Sequence, residues 1–157
     1  MKALFLVVGK TDDKLIVKLI EQYLKRLKHY LKFEIQELPD IKNSKNLSET
    51  EQKEREADEL LKRLKTSDHV VLLDERGKTP SSMEFSKQIQ NYMNRGTRQV
   101  VFIVGGPYGF SDRIYERSQE KLSLSRMTFS HQMVRLFFVE QVYRAMTILG
   151  NEPYHHE

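Results

Sequence analysis

No cysteine occurs among the 157 residues, so neither a disulfide nor a thiolate-bound zinc can hold this chain together, and a reducing compartment suits it. Also missing is any run of about 18 apolar residues, the length a membrane helix requires. The most apolar stretch, between Met133 and Leu149, is broken by Arg135, Glu140, Gln141 and Arg144. Lys2 is followed by only six apolar residues before Gly9, too few for a secretory leader, and a cytoplasmic protein is expected. Two nucleotide signatures fail as well. A dinucleotide fingerprint needs G-x-G-x-x-G after the first strand, where only Gly9 stands; Gly77-Lys78-Thr79 imitates the end of a phosphate loop, but position 72, where that loop needs glycine, is Leu72. His131, His155 and His156 lack carboxylate or thiolate company at ligand spacing, so no metal site is expected.

What is present belongs to an ordinary globular chain. Apolar residues make up 39% and charged residues 31%, the balance of a protein able to bury roughly two thirds of its unfolded surface in one domain, here residues 1–157. The net charge of +4 permits a polyanionic partner without requiring one.

Apolar runs alternate with helical periodicity along the chain. Ala3–Val8 is continuously apolar, as a parallel strand covered on both faces must be. Asp12 or Asp13 caps a helix whose apolar positions run from Leu15 to Leu31, with Lys18, Lys25, Arg26, Lys28 and Lys32 on its outer face. Phe33–Leu38 alternates and stops before Pro39, marking an edge strand. The spacing Ser48 to Glu51 opens a highly charged helix to about Leu64, and Ser81 to Glu84 opens another, carrying Phe85, Ile89, Tyr92 and Met93 and closed by Gly96. His69–Leu73 and Gln99–Val104 read as further buried strands, a short helix is expected over Asp112–Gln119, and Leu122–Leu124 reads as the fifth strand. Such alternation implies a parallel α/β sheet with helices on both faces.

The last helix, from near Ser130 to just before Gly150, is apolar almost all round. Its one polar wedge is Glu140, Arg144 and Thr147. A helix of that kind must be buried on more than one side, and a chain this size cannot enclose it alone. One side is expected to pack on the chain's own sheet and the other on a second copy, giving a homodimer.

Ligands of parallel sheets bind beyond the carboxyl ends of the strands. Three such ends carry suitable loops: Leu73–Lys78, Gly105–Gly109 and Ser125–Ser130. Glycines at 105, 106 and 109 let the backbone approach a ligand closely, although an ordinary strand-to-helix turn would look the same. In Leu124–Phe129, small hydroxyl residues alternate with Leu124, Met127 and Phe129, a pattern suited to gripping a heterocycle.

Taken together, LLDERGK (Leu72–Lys78), FIVGGPYG (Phe102–Gly109), LSLSRMTFSHQMVR (Leu122–Arg135), EQVYRA (Glu140–Ala145) and PYH (Pro153–His155) resemble the ribosomal RNA large subunit methyltransferase H family of the SPOUT (α/β-knot) superfamily. The resemblance spans the whole chain. It implies a parallel sheet of five to six strands with a C-terminal trefoil knot, and S-adenosyl-L-methionine as cofactor. It further implies a homodimer that methylates N3 of a pseudouridine in helix 69 of 23S rRNA on the assembled 70S ribosome, without metal or membrane. By position, Leu73, Gly105, Leu124, Ser125, Arg126, Met127, Thr128 and Phe129 would contact the cofactor, while His155, placed by Tyr154 across the dimer interface, would accept the imide proton or position the base. Lys42, Lys45, Arg76, Lys78, Arg113, Arg126 and Arg135 are the candidates for RNA phosphates. Two alternatives stay open at this point: a non-catalytic ribosome- or RNA-binding module, and a SPOUT methyltransferase for another RNA nucleotide.

Overall fold

The computed structural model describes residues 1–41 and 44–156. Five strands, β1 (Lys2–Val8), β2 (Lys32–Leu38), β3 (His69–Lys78), β4 (Gln99–Val104) and β5 (Glu120–Leu122), form one parallel sheet in the order β2-β1-β4-β3-β5. Between and after them run α1 (Lys14–Leu27), α2 (Glu49–Leu61), α3 (Ser82–Asn94), α4 (Asp112–Arg117) and α5 (His131–Leu149).

Side-chain alternation along the strands builds two cores. Ala3, Phe5 and Val7, with Val100, Phe102 and Val104, face α1, α3 and α5; Leu4, Leu6 and Val8, with Val101 and Ile103, face α2 and α4. Phe138 of α5 centres the first core, 4.6 Å from the Phe5 ring and 4.8 Å from that of Phe102. Helix starts follow the expected chemistry: Asp13 caps α1, and Ser48 and Ser81 each form a complete reciprocal capping box. The charged helix α2 ends at Leu61, one turn earlier than expected.

Two strand assignments shift. The third strand does not stop at Leu73 but continues to Lys78. Its register against β5 jumps, with Leu73 and Lys78 both opposite Leu122, so Asp74–Gly77 bulge out of the ladder. Gly77 is needed there because a Cβ would lie 2.6 Å from the Leu122 backbone. The fifth strand is Glu120–Leu122 and not Leu122–Leu124: pairing with β3 outranks the apolar pattern, and the Ser123 amide donates to Lys78 O at 2.8 Å.

Helix α5 packs between α1 and α3. To reach it from the edge strand β5, residues 123–130 must pass the start of α3, where Ser82 Oγ meets Gln141 Oε1 at 2.8 Å. That route is compatible with the knotted crossing the resemblance implies. The expected polar wedge of α5 is not a solvent face. Thr147 is fully buried, donating its hydroxyl to Arg144 O, and Glu140 and Arg144 pair at 2.7 Å. Apolar exposure lies elsewhere, at Leu15 (71%) and Leu19 (42%) of α1 and Phe137 (37%) of α5.

Candidate active site

The three loops singled out by composition converge. Leu73–Arg76, Val104–Phe110 and Leu122–Phe129, with His131 and Val134 of α5, line one cleft of about 900 Å³ at the carboxyl ends of β3, β4 and β5, within the size range of small-molecule sites. A second hollow of about 330 Å³ shares Leu122–Leu124 and Phe129 with it.

Local geometry explains the walls. The Gly106–Gly109 turn closes with a bridge, the Gly109 amide donating to Gly106 O at 3.2 Å, and Gly109 has φ of 77°. A Cβ on Gly105 would stand 3.0 Å from the Phe110 ring. In the 123–129 segment, Ser123 Oγ donates to Ser125 O and Ser125 Oγ accepts from the Met127 amide, both at 2.9 Å. The Phe129 ring rests on Phe137, 4.8 Å between centroids, and Met127 is left 77% exposed at the mouth. All the residues expected to contact a cofactor therefore face one space.

Residues that the sequence did not single out complete it. Tyr115 donates to Asp74 Oδ2 at 2.5 Å, and burial together with that carboxylate pushes the phenol up to about 12. Asp74 Oδ1 also accepts from the Arg76 amide, which fixes the bulge. Behind the glycine loop lies Glu56 of α2, 5% exposed. Burial raises its pKa, opposed by the Gln52 side-chain amide, the Gly106 N–H and His131; Asp40 adds to the rise. In sequence Glu56 is one carboxylate in a charged helix, and only its i+4 spacing from Gln52, whose Nε2 donates to it at 3.0 Å, hinted at a partner.

A family described as "Predicted SPOUT methyltransferase" matches residues 1–155. Proteins named "Ribosomal RNA large subunit methyltransferase H" are similar along their full length. Those of Porphyromonas gingivalis (59% identical), Flavobacterium johnsoniae (56%) and Bacteroides thetaiotaomicron (49%) each align over 157 residues, the whole of both chains.

The chain belongs to the SPOUT methyltransferase family.

In this SPOUT methyltransferase the tail is folded back. Tyr154 donates to Glu140 Oε1 at 3.0 Å and packs edge-on against Tyr143, while Arg144 stacks on the Tyr154 ring and reaches His155 Nδ1 at 3.3 Å. Since α5 rises about 1.5 Å per residue, this anchorage lies roughly 14–20 Å along the helix from His131 at the cleft. Neither Tyr154 nor His155 lines the chain's own cleft.

Among the basic candidates, Arg76 and Arg126 are exposed and line the cleft, and Lys45 and Lys78 are exposed away from it. Lys42 lies outside the described residues. Arg113 is engaged by Asp58 and Glu54 at 2.8 and 3.2 Å, so its charge is already shared. Arg135 must be withdrawn as an RNA contact. It is 3% exposed, donates to Thr11 Oγ1 at 2.8 Å and to Val8 O at 2.7 Å, and ties the loop after β1 to α5.

Proposed function

We propose that this methyltransferase acts on large-subunit ribosomal RNA, using S-adenosylmethionine to methylate N3 of a pseudouridine in helix 69 of 23S rRNA on the assembled 70S ribosome, as a homodimer. The observation carrying this reading is the meeting of the three loops in one cleft, in a chain 59% identical to a protein named as a large-subunit ribosomal RNA methyltransferase.

The residues present fit the cofactor. The 105–109 turn brings backbone groups to the cleft for a heterocycle, Leu73, Leu124 and Phe129 supply apolar walls, and Asp74, Glu75 and Asp112 line it together with Lys53, Arg76 and Arg126, a mixed charge that suits a ligand carrying both a sulfonium and an amino-acid carboxylate. When bound, S-adenosylmethionine supplies a methyl group already activated by its positive sulfur. The protein's share is alignment and exclusion of water. The base must lose its imide proton as its nitrogen takes the methyl, and His155, brought by the partner's tail, acts on that base. Arginine has only donors to offer, so His155 Nδ1 accepts from Arg144 and the ring carries its proton on Nε2. That favours positioning of the base through a hydrogen bond to a carbonyl oxygen over abstraction of its proton.

A second copy is the occupant that suits the uncovered face of α1 and α5, because Leu15, Leu19 and Phe137 would leave water there and the partner's tail could reach a cleft its own chain does not serve. Lys45, Arg76, Lys78 and Arg126 then remain for phosphate contacts, through which the dimer reads the shape of a ribosomal surface. The test is tritium transfer from labelled S-adenosylmethionine to whole ribosomes, separated subunits and an isolated stem-loop, followed by mapping the modified nucleotide. Labelling of whole ribosomes at the helix 69 pseudouridine is expected. Efficient labelling of the free stem-loop, or a mark elsewhere, would refute the substrate assignment; failure of calorimetry to detect cofactor binding would leave a non-catalytic binding module.

A further inference from the structure

Glu56 is a carboxylate with no assigned task, buried behind the wall of the cleft and not in it. Its relation to Gly106 is intimate. A Cβ on that glycine would lie 2.5 Å from Glu56 Oε2 and 2.7 Å from Cδ, so the carboxylate fills the space a side chain would take. Gly106 has no positive φ, and its backbone would accept any residue. What demands glycine at 106 is therefore Glu56. The Gln52 amide donates to the same carboxylate at 3.0 Å, and the Gly106 N–H favours its charged form. Burying an acid here works against the fold, yet the group sits where the glycine loop needs a floor.

We infer that Glu56 is a positioning residue for the methyl donor: from beneath the cleft it holds the Gly105–Gly106 backbone at the height and tilt that the cofactor meets. This rests on the assignment of the cleft to S-adenosylmethionine. Glu56 touches no reacting atom and acts through Gly106.

The test compares Glu56→Ala, Glu56→Gln, Gly106→Ala, the Glu56→Ala/Gly106→Ala pair and Leu60→Ala in the full-length protein. Leu60 is a buried α2 residue in the second core, away from the glycine loop, and reports what loosening α2 does by itself. Affinity for S-adenosylmethionine is measured by calorimetry well below each variant's melting temperature. Glu56→Ala is expected to weaken binding about tenfold, the worth of one charge-assisted contact. Glu56→Gln, which keeps an oxygen toward Gly106, restores it. Leu60→Ala lowers the melting temperature without changing affinity. The double variant binds no worse than the weaker single one, because the added methyl enters the space the carboxylate has left. Wild-type affinity in Glu56→Ala, an equal loss in Leu60→Ala, or additive losses in the double variant would overturn the inference while leaving the cofactor assignment intact. A wild-type protein that takes up no S-adenosylmethionine overturns both.

Discussion

Gly77→Ala probes the seam on which the cleft is hung. The added Cβ would lie 2.6 Å from both N and C of Leu122 and 2.7 Å from C of Lys121. All three are backbone atoms of β5, so no side chain can swing away; the bulge or the strand must move. Overpacking of this kind costs about 3 kcal/mol, and at 157 residues each kcal/mol lowers the melting temperature by roughly 2–4 °C, giving a loss of roughly 6–12 °C. Gly96→Ala is the matched comparison. Gly96 has φ of 70° with nothing within 4 Å, so its substitution carries only the left-handed backbone penalty of about 1 kcal/mol. Gly96 also precedes β4, at the end of the sheet opposite the cleft. Thermal unfolding followed by far-ultraviolet circular dichroism measures both, and calorimetry with S-adenosylmethionine shows whether only Gly77→Ala disturbs the walls formed by Leu73 and Leu122. A Gly77→Ala protein that melts no lower than Gly96→Ala would refute the claim that backbone contact is what excludes a side chain there.

Three further expectations can be checked with ordinary assays. His155→Ala should lower methyl transfer to ribosomes by about 100-fold, the cost of a misplaced base, with cofactor affinity unchanged; near-normal turnover would remove His155 from the reaction. Phe138→Ala, which empties the centre of the ring cluster with Phe5, Phe85 and Phe102, should cost about 3–5 kcal/mol in denaturant unfolding, and a loss below that of an ordinary surface substitution would contradict its central place. Leu19→Asp combined with Phe137→Asp should give a folded monomer by analytical ultracentrifugation at low micromolar concentration; an unaltered dimer would show that this face is not the interface.

Much of this architecture was legible because it repeats simple rules. Val100–Val104 is an unbroken apolar run after Gln99, and β4 spans Gln99–Val104; Ser48 and Ser81 sit three residues before glutamates, and both boxes form. The cleft was legible for a related reason, since loops after adjacent parallel strands must emerge at one end of a sheet. Periodicity failed where charge is buried. Arg135 and Glu56 look like surface residues in any window, and only tertiary partners, Thr11 and Val8 O for one and Gly106 for the other, keep them inside. It failed again at β5, where three residues carry too little pattern to outweigh the apolar Leu122 and Leu124 that follow the true start. The side of the sheet each helix takes, and the folding of the tail onto α5, follow from contacts between segments far apart in sequence.

The anchorage of Tyr154 and His155 beside Glu140 and Arg144, well along α5 from the glycine loop, carries a genetic corollary. If the tail serves the partner's cleft, as proposed above, a copy crippled in its tail and a copy crippled in its cleft would each be dead alone, but when mixed they would assemble one intact reaction centre from the sound half of each. Such rescue in trans would make the enzyme's output depend on who pairs with whom, while a single damaged allele would cost only its own share of sites, because each site draws one cleft and one tail.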